Sequence, residues 1–204
     1  MRRCAPPLAV PYGRCPIPRT PEGAHAHRRR CPTLPRRPAQ IVRLLLQDSR
    51  VDVNAAHASG ATALAMACVQ GHAGVVRLLH DRGAALDSAT HRHRWTPLHL
   101  ATLYGQVDVV RLLLSLGDPA ELMARRAAHG TTALHIAAGR SLPGVLLLLL
   151  RHGADQSARD SSGLTPYDVA IHAGALNTAQ ILETFRATTE GPAAATRPGP
   201  EAPA

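Results

Sequence analysis

The stretch Trp95-Thr96-Pro97-Leu98-His99-Leu100-Ala101 has recognisable copies on both sides of it in the chain. One copy begins at Thr62, 34 residues before Thr96, and the others begin at Thr132 and Thr165, after further intervals of 36 and 33 residues. Such a steady internal period predicts a protein built from stacked structural repeats.

Each copy also predicts the start of a short helix. Thr caps the N-terminus of a helix, Pro suits the first helical position, and the Leu and Ala that follow place apolar and small side chains on one face. A second apolar run comes later in each unit, and Gly83, Gly117 and Gly153 each lie 21 residues after their Thr. A left-handed residue at that point would end the second helix. Because one pair of helices cannot bury its apolar face alone, the units are expected to stack as a solenoid.

The T-P-L-H-x-A pattern of residues 96–101 resembles the signature of the ankyrin-repeat family. This resemblance covers about 145 of the 204 residues and implies an all-α ankyrin-repeat solenoid of four units plus a leading half unit. The half unit is placed at 41–56, and the units at about 57–90, 91–126, 127–159 and 160–186. Residues 1–40, which are rich in Pro and Arg, and residues 187–204 are expected to be disordered.

The leading half unit is the first departure from a uniform repeat. Residues 41–46 match the second helix of a unit, but Pro32, Pro35 and Pro38 stand where its first helix would lie. The chain therefore enters the repeat halfway through a unit. This break motivates the hypothesis of a truncated or alternative product of a larger ankyrin-containing adaptor or enzyme.

Two further departures fall inside the repeats. The unit at 91–126 is two or three residues longer than its neighbours, around residues 118–123, which predicts a protruding or bulged finger. In the next unit Ser141 replaces the Gly that precedes the second helix, and Pro143 stands at the start of that helix, where it is tolerated.

The composition separates the N-terminal segment from the repeats. Aromatic residues make up only 2% of the chain, so the core is expected to consist of Leu, Val and Ala. All 23 basic residues are Arg, and nine of them lie in residues 1–40 beside one acid, which gives that segment +8 of the total +9. The repeats are therefore nearly neutral, and no bulk affinity for nucleic acid is expected of them.

The Arg clusters at 28–30 and 36–37 leave an alternative open. They favour a nuclear factor that makes weak nucleic-acid contact through residues 1–40, whereas a solvated charge run explains the same clusters without a partner.

The sequence predicts no membrane span and no metal or cofactor site. It contains no run of 18 apolar residues. The N-terminal cysteines and histidines match none of the paired spacings of zinc sites: Cys4, Cys15, His25, His27 and Cys31. Four cysteines without a disulfide framework indicate a reducing compartment, so a cytoplasmic and/or nuclear location is expected.

No motif of a known catalytic site is found. The sequence lacks a P-loop, a dinucleotide fingerprint, a zinc-protease helix and a nucleophile elbow. The resemblance implies structural roles for His99 and His135, whose rings would hydrogen-bond neighbouring loops. We therefore expect no enzymatic activity.

The resemblance instead implies protein binding through the loop tips and the exposed side of the first helices. Carried over by position, the partner-binding residues are Gln70, Arg92, His93, Trp95, Leu103, Tyr104, His129, Arg140 and His172. The finger around Trp95 is basic, so a protein with an acidic segment is the expected partner of a monomeric chain. The alternative for Trp95 is that it packs across the base of its own finger.

Asn54 lies in a spacing that resembles the asparaginyl-hydroxylation pattern of many ankyrin proteins. It follows Val53 directly, stands two residues after Asp52 and eight after Leu46. Hydroxylation of Asn54 is therefore one expectation, and an ordinary loop Asn is the other.

Overall fold

The computed structural model describes residues 38–48, 50–90 and 93–190. Within these ranges the chain forms ten α-helices, which in chain order are α1 Pro38–Leu45, α2 Ala63–Gln70, α3 Ala73–His80, α4 Pro97–Leu103, α5 Val107–Leu116, α6 Pro119–Ala124, α7 Ala133–Gly139, α8 Pro143–Arg151, α9 Pro166–His172 and α10 Leu176–Glu190. One turn of 3-10 helix, Ala128–Gly130, precedes α7.

The helices form two parallel rows. The first row contains the first helices of the units, α2, α4, α7 and α9, and each packs on the next. The second row contains α1, α3, α5, α8 and α10, which pack on one another in that order. Each first helix also packs on the second helix of its own unit. The predicted stack of helical pairs is thereby confirmed.

The capping threonines fix where the first helices begin. The hydroxyl oxygens of Thr62, Thr96, Thr132 and Thr165 each accept a hydrogen bond from the backbone N–H three residues later. Each Thr has extended backbone dihedrals, so the helix starts at the residue that follows it.

The core has the aliphatic composition that the low aromatic content predicts. The largest fully buried side chains are those of Leu, Val and the two capping histidines, and fully buried alanines stand where neighbouring first helices meet. Small side chains at these contacts allow the helices to approach closely.

The residues added in the second full unit form a helix. Asp118 caps α6 by accepting a hydrogen bond from Ala120 N–H at 2.9 Å, and Leu122 and Met123 on that helix are buried. The insertion that was predicted to protrude or bulge is thus a short helix, and these two apolar side chains hold it against the stack.

The same insertion changes the end of α5. Gly83 and Gly153 have left-handed backbones with φ of 83° and 85°, as predicted, but Gly117 is extended at φ −115° and ψ −179°. The left-handed conformation predicted for Gly117 is wrong because the chain runs directly into the cap of α6. A side chain at Gly117 would meet Leu86 and Leu122 at about 3.0 Å from its Cβ, so close packing accounts for this glycine.

Both ends of the repeat region differ from their predicted bounds. Helix α1 begins at Pro38, where the ring is tolerated because it occupies the first position. Helix α10 continues to Glu190, so the disordered tail predicted from residue 187 is wrong for residues 187–190. The predictions for residues 1–37 and 191–204 lie outside the described residues.

Ser141 carries backbone strain that the other units avoid. The residue two positions before the second helix is left-handed in all four full units, with φ of 76° at Gly71, 67° at Gly105, 56° at Ser141 and 70° at Gly174. A side chain in this region clashes with the neighbouring carbonyl oxygen, which costs on the order of 1 kcal/mol. At this position only the third full unit carries the cost, because the other three units have glycine there.

We expect Ser141→Gly to raise the free energy of unfolding by about 0.5–1 kcal/mol, because glycine relieves the strain but has more freedom in the unfolded chain. Urea denaturation of both proteins measures the difference. The matched control is Gly174→Ser, where an added Cβ meets no atom within 4 Å and only the backbone conformation is tested. It is expected to lower stability by a similar amount, and a stabilising Gly174→Ser would contradict the explanation.

Candidate protein-interaction surface

The loops that lead into the first helices are hairpin-like fingers. Each finger closes with a backbone hydrogen bond just before its capping Thr, as between Ala127 N–H and the Thr131 carbonyl at 2.9 Å. Neighbouring fingers are also joined, because Ala128 N–H donates to the His93 carbonyl and Ser161 N–H to the His129 carbonyl, both at 2.8 Å. The last three fingers are thus held in register by main-chain bonds.

Trp95 lies half-buried at the base of its finger. Its backbone N–H donates to Thr90 Oγ1 at 3.1 Å, and its carbonyl accepts from Thr90 N–H at 3.0 Å. Its ring is tilted by 47° against the His93 ring, with 5.7 Å between the centroids. Part of the indole therefore packs within its own finger, and part remains at the surface. Arg92, predicted beside it, lies outside the described residues.

Arg94 is a further basic residue of the finger that was predicted to be a recognition site. It is exposed, its φ is 51°, and its N–H donates to the Thr90 carbonyl at 2.9 Å. Its left-handed backbone places the side chain at the turn of the finger. Position in the repeat does not reveal this, because Arg is seldom left-handed.

The predicted residues fall into two groups at opposite ends of the first helices. His93 and His129 are exposed on the fingers, next to the helix N-termini. Gln70, Tyr104 and Arg140 are exposed at the helix C-termini, each eight residues after its capping Thr. First helices of seven or eight residues separate the two groups by about 11 Å.

Because α2, α4 and α7 pack side by side, Gln70, Tyr104 and Arg140 form one row, which we name the C-terminal row. Tyr104 has 52% of its surface exposed. Leu103 lies half-buried beside the row, and His172 is exposed at the corresponding end of α9.

His99 and His135 have structural roles. In each case Nδ1 lies close to the hydroxyl oxygen of the capping Thr, at 2.7 Å for Thr96 and 2.8 Å for Thr132, and accepts from the backbone N–H of that Thr. The proton is then assigned to Nε2, and Nε2 of His135 donates to the Leu164 carbonyl of the next finger at 3.1 Å.

Burial keeps both imidazoles neutral. It lowers the pKa of His99 from 6.5 to about 4, with the Thr131 carbonyl acting in the opposite direction. Burial also lowers the pKa of His135, and here the Leu164 carbonyl opposes it. A charged imidazole would be stranded in the core, so these rings do not serve as exposed acid or base groups.

Asp168 replaces the histidine in the last unit. Its Oδ2 accepts from Thr165 N–H at 2.9 Å and from the Thr165 hydroxyl at 2.7 Å, and these bonds hold the pKa of the carboxyl below its usual range. A carboxylate has no proton to donate onward, whereas His135 uses its second nitrogen to reach the following finger.

Asn54 joins the first loop to the next one. Its side-chain amide donates to the Gly83 carbonyl at 3.1 Å, and its carbonyl oxygen accepts from Ala85 N–H at 2.9 Å. Asp52 Oδ1 holds the Asn54 backbone N–H at 2.9 Å. Asn54 is exposed, but both ends of its amide are engaged, and its hydroxylation stays a prediction.

Among residues 38–48, 50–90 and 93–190, no group of three or more His, Cys, Asp or Glu side chains is arranged to hold a metal ion. No helix in this described part is long and apolar enough to cross a membrane.

Cys68 is a free cysteine buried between helices, and burial raises the pKa of its thiol to about 12.

Comparison with known proteins matches two families to adjoining parts of the chain. The family described as "Ankyrin repeats (3 copies)" matches residues 36–125, and that described as "Ankyrin repeats (many copies)" matches residues 125–170. A stretch of 73 residues is 40% identical to the "Neurogenic locus Notch protein" of Drosophila melanogaster. That stretch covers 36% of this chain and only 3% of the Notch protein.

The neutral state of His99 makes stability depend on pH. Its pKa is lower in the folded state than the 6.5 of the unfolded chain, so its contribution is complete above pH 6.5 and is lost as pH falls towards 4. We expect the free energy of unfolding to drop by about 2 kcal/mol between pH 7.5 and pH 5 from His99 alone. Urea denaturation at the two pH values measures this.

His99→Gln is the matched variant, because its amide oxygen can take over the contact with Thr96 N–H but the side chain cannot gain a proton. The drop between the two pH values should be smaller in this variant by most of that amount. An equal drop in both proteins would show that His99 does not cause the acid sensitivity.

Proposed function

We propose that this chain, which belongs to the ankyrin-repeat family, is a non-enzymatic module that binds a partner protein through the C-terminal row and through the fingers at the opposite end of the first helices. Ankyrin repeats generally mediate protein–protein interaction, and the finer assignment is ours. The observation that carries it is the row of Gln70, Tyr104 and Arg140, exposed side by side on three packed helices.

The proposed binding surface is preorganised, because its residues are held in place before a partner binds. The last three fingers are joined to one another by backbone bonds, and the C-terminal row stands on helices packed into the core. Ordering such a surface at the moment of binding therefore costs little conformational entropy. Tyr104 supplies apolar area and a hydroxyl, and Tyr and Arg are frequent hot-spot residues of interfaces.

The charge of this surface favours an acidic partner segment. Arg94 on the finger and Arg140 at the end of α7 are both exposed. Neither forms an ion pair with another described residue, whereas Arg125 pairs with Asp87 and Glu121. These two guanidinium groups lie on neighbouring units at opposite ends of the first helices, so an acidic strand that crosses the first helices can engage both.

The test compares variants of this surface with variants of the opposite side. Tyr104→Ala with Arg140→Ala removes two members of the C-terminal row. Arg77→Ala with Arg111→Ala is the matched control, because both arginines are exposed on the second helices α3 and α5. Partners are recovered from cells with the wild-type chain, and the affinity of each variant for them is then measured.

The first pair should weaken binding by about 2 kcal/mol, or roughly 30-fold, and the second pair should leave it unchanged. The association rate should also fall as salt rises. Equal losses in both double variants, or a loss in the control alone, would move the binding surface away from the C-terminal row.

The second candidate function is nucleic-acid contact in the nucleus through residues 1–40. The observation that favours it is the charge of +8 in that segment, which lies outside the described residues apart from residues 38–40. Binding of this kind falls steeply with salt, so an affinity for RNA or DNA that survives near 0.5 M salt would argue against a purely electrostatic contact.

A further inference from the structure

Helix α1 is a second helix without a first helix of its own among the described residues. Helices α3, α5, α8 and α10 each pack on the first helix of the same unit, whereas α1 packs chiefly on α3. The row of first helices begins with α2, so no described helix occupies the position beside α1 and before α2.

The side chains of α1 that would face such a helix are exposed. Ile41 has 46% and Leu45 60% of its surface exposed. Their counterparts in α5, Val109 and Leu113, are at 0% and 1%. The difference comes from the neighbour and not from the side chains, because both positions are aliphatic in both helices.

Helix α2 also has exposed apolar side chains on the face where no described first helix packs. Met66, the fourth residue after Thr62, has 51% of its surface exposed, whereas Ile136 and Val169 at the same position of α7 and α9 are at 8% and 6%. Ala63 is exposed as well, although Ala133 at the same position of α7 is buried. The exposed apolar side chains of α1 and α2 thus lie at the same end of the array, on a surface that we name the α1–α2 slot and that is made up of Ile41, Leu44, Leu45, Ala63 and Met66.

We propose that the α1–α2 slot is the interface of a two-fold symmetric dimer, in which α1 of each copy lies in the slot of the other. The inference goes beyond the proposed partner binding and uses neither the fingers nor the C-terminal row. It replaces the monomer expected from the sequence.

A second copy fits because α1 itself is the kind of helix that the slot accepts. Ile41, Leu44 and Leu45 stand at positions i, i+3 and i+4 and therefore share one apolar face. Helix α1 has eight residues, as α2 and α3 have, so its length matches the helices at this end of the array. Two-fold pairing covers this face on both copies at once.

The arrangement also continues the packing already present in the array. Every internal first helix lies between a preceding first helix and its own second helix, on side chains of the same aliphatic type. The five described side chains of the slot are uncharged, which favours an apolar helix over an acidic peptide or a nucleic acid. Arg43 is exposed on α1 but is not part of the apolar face.

Five side chains on each copy make a small interface, at the low end of specific complexes, so a dissociation constant on the order of 10 µM is expected. Sedimentation of the full chain from about 1 to 200 µM, under reducing conditions that prevent disulfide cross-links, measures the equilibrium. A concentration-dependent monomer and dimer are expected.

Leu45→Glu places a charge in the slot and should weaken the dimer at least ten-fold. Met66→Glu, on α2, should have the same effect without any change in α1. The matched control is Leu176→Glu at the start of α10, where 70% of the leucine surface is exposed at the far end of the array. It should leave the dimer intact, and far-ultraviolet circular dichroism checks that all variants remain folded.

A chain that stays monomeric over the whole range would overturn the proposal, since the slot would then be covered in some other way. A dimer that Leu176→Glu abolishes, or one that survives both Leu45→Glu and Met66→Glu, would overturn it equally by placing the contact elsewhere.

Discussion

The rest of the structure depends on the capping of each first helix by a threonine. Its hydroxyl oxygen accepts from the N–H three residues later, and in three units the side chain of that later residue bonds back to the threonine N–H. This reciprocal pair fixes the first turn of the helix and the direction in which the finger enters it. In the unit of His135 the same ring also holds the following finger, so a local cap becomes a bond between repeats.

Features that arise within a few residues were predictable from the sequence. The cap of α4, for example, needs only Thr96, Pro97 and His99, which lie within one turn and act through their own backbone. The choice of Leu, Val and Ala for the core was predictable for a similar reason, since few other apolar residues are present.

Features that depend on a neighbouring repeat were not predictable in the same way. Gly117 was expected to be left-handed because its position matches Gly83, but the insertion after it alters the backbone. The helical form of that insertion depends on the space into which Leu122 and Met123 can be buried. The same holds for exposed residues. Position in the repeat predicted that Tyr104 and Arg140 lie at the surface, but it did not predict that Met66 is exposed.

At the two ends of the array, side chains that neighbouring repeats would cover inside the array are exposed to solvent. Leu64 and Leu98 stand two residues after their capping threonines and are fully covered by the next unit, whereas Tyr167 at the same position of the last unit is 40% exposed. At that end the phenol hydroxyl can remain in water. At the other end Leu44 and Leu45 are purely apolar, so exposure to solvent is costlier there.

Helix α1 is therefore the least supported member of the row of second helices, and association would cover its exposed apolar face. It packs chiefly on α3, and the Arg82 guanidinium, which bonds the Leu46 carbonyl just beyond the end of α1, adds a further tie to the first full unit. Because α1 packs chiefly on α3, local opening of α1 costs less free energy than opening of α5, which packs between α3 and α8. A partner that binds only the docked form of α1 shifts this equilibrium towards it by its own binding free energy. Folding of α1 and occupation of the α1–α2 slot are then coupled equilibria. A partner that covers Leu44 and Leu45 therefore also slows hydrogen exchange of the backbone amides of α1.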